Sequence, residues 1–260
     1  MPLISNQPSP ESQFTKYRQL AQTISDEVAI SIENARLYES MEREHRELQK
    51  ALDGIIHAMS LVMETRDPYT AHHQRRVAGL ACAIVREMHL SQWQLKGVRI
   101  AALLHDIGKM VVPAEIIGKP GPLDRYEFEI IKTHPRSGYE ILKMIEFPWP
   151  VTRAILQHHE RLDGSGYPDG LSGEDIILEA RILGVADVIE AMSSQRAYRP
   201  AHSIDDCLEE IWQKRNISYD QDAADVCMDL FTKKDFSFTT SENEVKSSIL
   251  FCFEYTPKAF

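Results

Sequence analysis

The chain has no apolar run near the roughly 20 residues that a helical membrane span requires. It does not open on a charged segment followed by a short apolar stretch, so it shows no secretory leader. Cysteine is scarce: Cys82, Cys207, Cys227 and Cys252 are scattered with no CxxC spacing. That argues against a disulfide framework or a thiolate zinc site and predicts reduced, buried thiols. Positive charge is in the minority, with 29 Lys and Arg against 39 Asp and Glu and a formal net charge of −10. Such a balance argues against binding of a nucleic-acid polymer. It leaves room for a small phosphorylated ligand, because bound cations can reverse the field inside a pocket. Convincing strand alternation is also missing. Together these features predict an all-α protein of the cytoplasm with no membrane partner.

What is present is helical periodicity. In 260 residues there is room for one large domain with extensions. Residues 1–13 hold three prolines and read as irregular. Leu20, Ile24, Val28 and Ile32 then recur every fourth position. From Tyr38 the steps alternate three and four, through Met41, His45, Leu48, Leu52, Ile55, Met59 and Val62. This is a heptad seam flanked by Glu and Arg, and it predicts a parallel homodimer through the N-terminal helix. The bland alternative is a single amphipathic helix docked on its own domain. Further helices are expected over 70–89, 91–106 with Ser91 as N-cap, and 125–145 opened by the Asp124/Glu127 capping box. Others are expected over 150–159, 176–194, 204–215 after Ser203, and 220–233. Residues 234–260 carry no clear pattern.

Ten histidines are unevenly placed. "LLHDIGK" ends an apolar helix with His105 and Asp106, followed by Lys109. "KTHPRSG" supplies His134, and "QHHE" supplies His158 and His159. "VADVIEAM" sets Asp187 in an apolar helix, and "DPYTAHHQRRV" supplies His72 and His73. Each alone has a dull explanation as a satisfied polar group. Together, imidazoles and carboxylates at helix ends and on buried faces need partners, and divalent metal ions are one kind. Mixed N/O ligands suit iron, manganese or zinc in hydrolytic sites, and an aspartate can bridge two ions with its two oxygens.

At these residues the chain resembles the HD-GYP family, a branch of the HD metal-dependent phosphohydrolases. "DPYTAHHQRRV", "LLHDIGKMVVP", "THPRSGYEIL", "HHERLDGSGYPDGLSG" and "RILGVADVIEAMSSQRAYRP" stand in the family's order and spacing. The resemblance implies an all-helical HD-domain bundle. It implies hydrolysis of cyclic di-GMP, a bacterial second messenger, to pGpG and onward to GMP. It also implies a cofactor of two divalent ions, Fe or Mn. Carried over position by position, the ligands are His73 (not His72), His105, Asp106 as the bridge, His134, His158, His159 and Asp187. Lys109 would contact the scissile phosphate and protonate the leaving oxygen. Asp67, Arg196 and Arg199 would contact substrate, and Gly166, Tyr167 and Pro168 would shape the rim, although that loop also reads as purely structural.

Departures from the family pattern exist. Tyr69 stands where relatives with a third metal have glutamate, which favours a two-ion site. Glu190 replaces the usual Asp, and Ala197 replaces a common Pro; neither is a ligand position. Residues 22–39 resemble the last helix of a GAF sensory domain. The expected division is therefore a GAF-like remnant over 1–36, a coiled-coil linker over 37–63, a phosphohydrolase domain over 64–233 and a tail over 234–260. Sensor or GGDEF-type proteins are the further partners the resemblance implies. Two rivals stay open: a cyclic di-GMP-binding module with weak turnover, and a phosphohydrolase of another cyclic dinucleotide.

Overall fold

The computed structural model describes residues 10–66, 72–194 and 201–238. The expectations for Asp67, Tyr69, Arg196, Ala197, Arg199 and Cys252 therefore lie outside the described residues. So do those on residues 1–9 and on the tail beyond 238. Two compact units divide the chain, Met1–Gly54 and Ile55–Phe260. The boundary falls within the first helix, α1 (Pro10–Arg66).

In the first unit the described residues are helix throughout, and its large apolar side chains face solvent. Leu20, Ile24, Val28, Tyr38, Met41 and Leu48 are all at least half exposed. A helix of this length with an uncovered apolar stripe gains no stability from tertiary burial of that stripe.

The second unit is helical, and the only β pairings among the described residues are two isolated bridges, Asp163 with Ser172 and Arg215 with Tyr219. It contains the end of α1 and α2 (His73–Glu87), α3 (Gln92–Leu104), α4 (Ala114–Ile117), α5 (Arg125–Ile131) and α6 (His134–Leu142). Then come α7 (Val151–Gln157), α8 (Leu178–Ser193), α9 (Ile204–Gln213) and α10 (Gln221–Lys233). Ile56 and Met63 of α1 join the core, while Ile55 and Val62 on the seam stay exposed. Met59, also on the seam, is partly buried against the core, so the docked face of α1 borders the heptad face and shares that residue.

Helix α8 is central. It packs against α2, α3, α7, α9 and α10. Its sequence explains why: Ala180, Ile182, Leu183, Val185, Ala186 and Ile189 are all buried, so it is apolar nearly all round. The expected caps are in place. Ser91 and Gln94 form a capping box on α3, Asp124 and Glu127 form one on α5, and the Ser203 hydroxyl accepts from the Asp206 N–H on α9.

One expected helix is divided. The pattern over 125–145 yields α5 and α6, separated at Lys132 and Thr133. Pro135, in the first turn of α6, has no N–H for the Ile131 carbonyl four residues back, so α5 ends there. The freed carbonyl accepts from the ring Nδ1–H of His134 at 2.8 Å instead.

Candidate metal centre

The backbone builds the centre from helix ends. His105 caps the C-terminus of α3 and His158 that of α7, and His134 follows the end of α5. Terminal helical carbonyls have no intrahelical partner. Each of these histidines donates its Nδ1–H to the carbonyl three residues earlier, at 2.8 Å to Ala102, 2.8 Å to Ile131 and 2.6 Å to Ile155. Because a carbonyl can only accept, the proton sits on Nδ1 and the lone pair of Nε2 is turned inward. His73 begins α2 and reaches the carboxylate of Glu190 with its Nδ1.

The inward atoms converge on two aspartates. Asp106 Oδ2 lies 3.8 Å from His73 Nε2 and 3.5 Å from His105 Nε2, while its Oδ1 lies 3.5 Å from His134 Nε2. Asp187 Oδ1 lies 3.2 Å from His73 Nε2 and 3.7 Å from His105 Nε2, and its Oδ2 lies 4.0 Å from His159 Nδ1. His134 Nε2 and His158 Nε2 are 3.3 Å apart. Two ligand groups result, His73 with His105 and Asp106, and His134 with His158 and His159. Asp106 offers one oxygen to each.

These side chains fit a pair of divalent ions. His105 Nε2 is buried with no hydrogen-bond partner, and a buried polar atom left so is costly unless a ligand takes it up. Imidazole nitrogens and carboxylate oxygens are the donor set of hydrolytic iron, manganese or zinc.

The electrostatics agree for three of the imidazoles and oppose the ion at His73, which must give up a proton to bind. Burial pushes His134 down to about 4, and burial holds His158 and His159 well below the ordinary histidine value. All three are neutral near pH 7, as a ligand must be. Burial alone would also depress His73, but Asp187 and Glu190 overcome it and raise it to about 9. Burial opposes ionisation of Asp106, yet Lys109 and the surrounding histidines hold it well below the usual carboxylate range. Asp187 is held low in the same way, against burial, chiefly by His73.

Two glycines let the backbone close. At Gly108, in the short 3-10 turn after Asp106, a Cβ would lie 1.9 Å from the His134 carbonyl oxygen. Only glycine lets the start of α6 come this near to Asp106. At Gly166 a Cβ would lie 2.4 Å from the Glu160 Cα. There the loop crosses its own backbone, and the Tyr167 ring stacks on His159 at 4.7 Å between centroids. Glu160 anchors the loop by accepting from the backbone N–H groups of Asp169 at 2.7 Å and Leu171 at 3.0 Å.

Of the residues singled out in the sequence, all seven candidate ligands come together. Lys109 is beside them, its Nζ 2.7 Å from Asp106 Oδ2. Tyr167 packs over one edge, whereas His72 is turned to Glu64, 3.9 Å away. Sequence reasoning missed Glu160, Glu190 as a partner of His73, and Arg76, whose Nε donates to Glu190 at 2.6 Å. The signal for Glu190 was available: it lies one turn after Asp187 and so shares its helical face.

An all-helical bundle with two imidazole groups joined by a buried aspartate points to one class, the HD domain. Residues 57–223 match the HD domain family, and the chain belongs to that family. It is 35% identical over 219 residues to a cyclic di-GMP phosphodiesterase response regulator of Xanthomonas campestris, covering 84% of this chain and 56% of that protein. It is 40% identical over 157 residues to 3'3'-cGAMP-specific phosphodiesterase 3 of Vibrio cholerae, covering 60% and 34%. It is 38% identical over 167 residues to a cyclic di-GMP phosphodiesterase of Thermotoga maritima, covering 64% and 45%. The chain thus spans about half or less of the length of these curated relatives. Among solved structures, a cyclic GMP-AMP phosphodiesterase of Vibrio cholerae shares the fold, with a TM-score of 0.58 at 18% identity over 75% of this chain and 52% of that one.

Proposed function

We propose that this chain is a metal-dependent phosphodiesterase that hydrolyses cyclic di-GMP, with pGpG or GMP as the product. The observation that carries the reading is the sharing of Asp106 between two imidazole groups. His73, His105, Asp106 and Asp187 would hold one ion; His134, His158, His159 and the second oxygen of Asp106 would hold the other. Iron or manganese suits such ligands. Bound divalent ions supply Lewis acidity toward phosphate oxygens and lower the pKa of water.

The remaining work belongs to side chains. Lys109, about three-quarters buried, balances the Asp106 charge and can give its proton to the leaving 3′ oxygen. Tyr167, with Gly166 and Pro168, covers His159 and keeps bulk water from that edge. Asp67, Arg196 and Arg199 are assigned to substrate by family resemblance alone. The exposed heptad seam of α1 supports a homodimer, with residues 37–63 as a linker that carries a signal from a sensor or a GGDEF-type partner. The GAF-like likeness of residues 22–39 supports a sensory origin for that signal. Cys82, Cys207 and Cys227 are buried and in no disulfide, which suits a reducing compartment, the cytoplasm.

A second reading has specific support. The 40% identity to a 3'3'-cGAMP-specific enzyme favours a mixed cyclic dinucleotide as substrate. The test is anaerobic purification, metal analysis and chromatography of cyclic di-GMP and 3'3'-cGAMP beside a His105→Ala, Asp106→Ala double variant. Appearance of pGpG or GMP only with the parent protein supports the first reading, and turnover of the mixed dinucleotide alone supports the second. Binding without cleavage by metal-loaded protein overturns both and leaves a nucleotide-binding module.

A further inference from the structure

Three imidazoles of the centre are held by one device: Nδ1–H bonds to the carbonyl three residues earlier in a finishing helix. His73 begins α2, and its Nδ1 meets a side chain of another helix. A carboxylate takes the carbonyl's place. Glu190, fully buried on α8, receives the His73 Nδ1 on Oε2. Its Oε1 accepts from Arg76 Nε at 2.6 Å and from the Ser194 hydroxyl at 2.7 Å. Arg76 Nη2 also donates to Ser194 at 3.2 Å. Arg76 is one turn beyond His73 on α2, and Ser194 one turn beyond Glu190 on α8. The carboxylate is thus gripped from both helices while it aims one ligand.

We infer that Glu190, clamped by Arg76 and Ser194, is a positioning residue that fixes the tautomer and direction of His73 and so sets the affinity of one half of the metal centre. The inference rests on the metal-centre reading but needs no substrate. Partners behind a metal-bound histidine commonly account for about 10–100-fold in metal affinity. Aspartate, one methylene shorter on an unmoved α8, would fall short of His73, and the side-chain length of glutamate is what makes the pairing. The bond from Glu190 described above runs to the half of the centre that contains His73.

The test titrates metal-free protein with Mn²⁺, following free ion by electron paramagnetic resonance. Parent protein is compared with Glu190→Ala, Glu190→Gln and Glu190→Asp. Expected is loss of about 10–100-fold in affinity at one of two sites in the alanine variant, with the other unchanged. The glutamine variant should recover part of it, since its amide oxygen still accepts from Nδ1–H. Nitrogen-15 spectra of the metal-free protein above pH 9, where His73 is neutral, add a readout of the tautomer: the His73 Nδ1–H should vanish in the alanine variant and persist with glutamine. A folded alanine variant with both affinities unchanged overturns the proposal. So does an equal loss at both sites in step with thermal stability, which would mark Glu190 as a packing residue. If parent protein binds no Mn²⁺ at all, the metal-centre reading fails first, and the nitrogen-15 spectra alone decide the tautomer claim.

Discussion

His134, His158 and His159 are neutral in the fold because burial penalises their charged forms. In the unfolded chain each returns to about 6.5. Below that pH the unfolded chain binds protons that the folded chain refuses, so these residues cost stability as pH falls from about 6.5 toward 4. His73 has the opposite sign. Raised to about 9, it contributes stability that is complete below 6.5 and is lost as pH rises through 9. In chelator, the urea midpoint should therefore peak near neutrality and fall on both sides, more steeply in acid, where three groups act together. A midpoint that stays flat from pH 7 to 5 would show that these imidazoles are not buried neutral. The residues that converge on the centre were legible in the sequence, because the HD pair, the paired histidines and the glycine-rich loop stand in a specific order. Glu190 was not read as a partner of His73, since spacing along α8 shows a shared face but not what α2 brings to it.

Among the elements, the turn after α3 is the most sensitive. Gly108→Ala forces its Cβ against the His134 carbonyl, so α6 must move away from Asp106. The expected cost is about 2 kcal/mol or more in unfolding free energy, with bound metal falling below two ions per chain. Calorimetry and elemental analysis measure both, and an alanine variant with parental melting and metal content would refute the close approach. Caps and periodicity made most helices readable in advance. The division of 125–145 was missed because the apolar pattern runs through it; the covalent chemistry of Pro135 outweighs the pattern there. For α1 the sequence pattern left open whether the seam meets another chain or the helix's own domain. Ile56 and Met63 take the inward role with help from Met59 of the seam, while Leu48, Leu52, Ile55 and Val62 remain exposed. Leu48→Glu with Leu52→Glu should therefore halve the mass seen by light scattering at micromolar concentration, with little change in the melting of the helical domain. An unchanged mass would refute a homodimer through α1.

At the scale of the whole molecule, the HD class was readable because five separated motifs agree, whereas the placement of the long helix rests on packing that periodicity does not encode. The centre also ties together distant stretches of chain: His73 and Glu190 are 117 positions apart, yet they touch. No short segment can assemble the ligands, so an ion that binds this geometry binds only the finished fold. By mass action each such ion stabilises the native state, by about 2.7 kcal/mol at a free concentration a hundredfold above its dissociation constant. Thermal scans at rising Mn²⁺ should shift the transition upward without limit set by the apo protein, and a Tm indifferent to the metal would refute this linkage. Ions bound there would act as a reversible staple on the topology. A cell short of the metal would lose the protein itself along with its chemistry, since the unfolded fraction open to proteolysis grows as the staple is withdrawn.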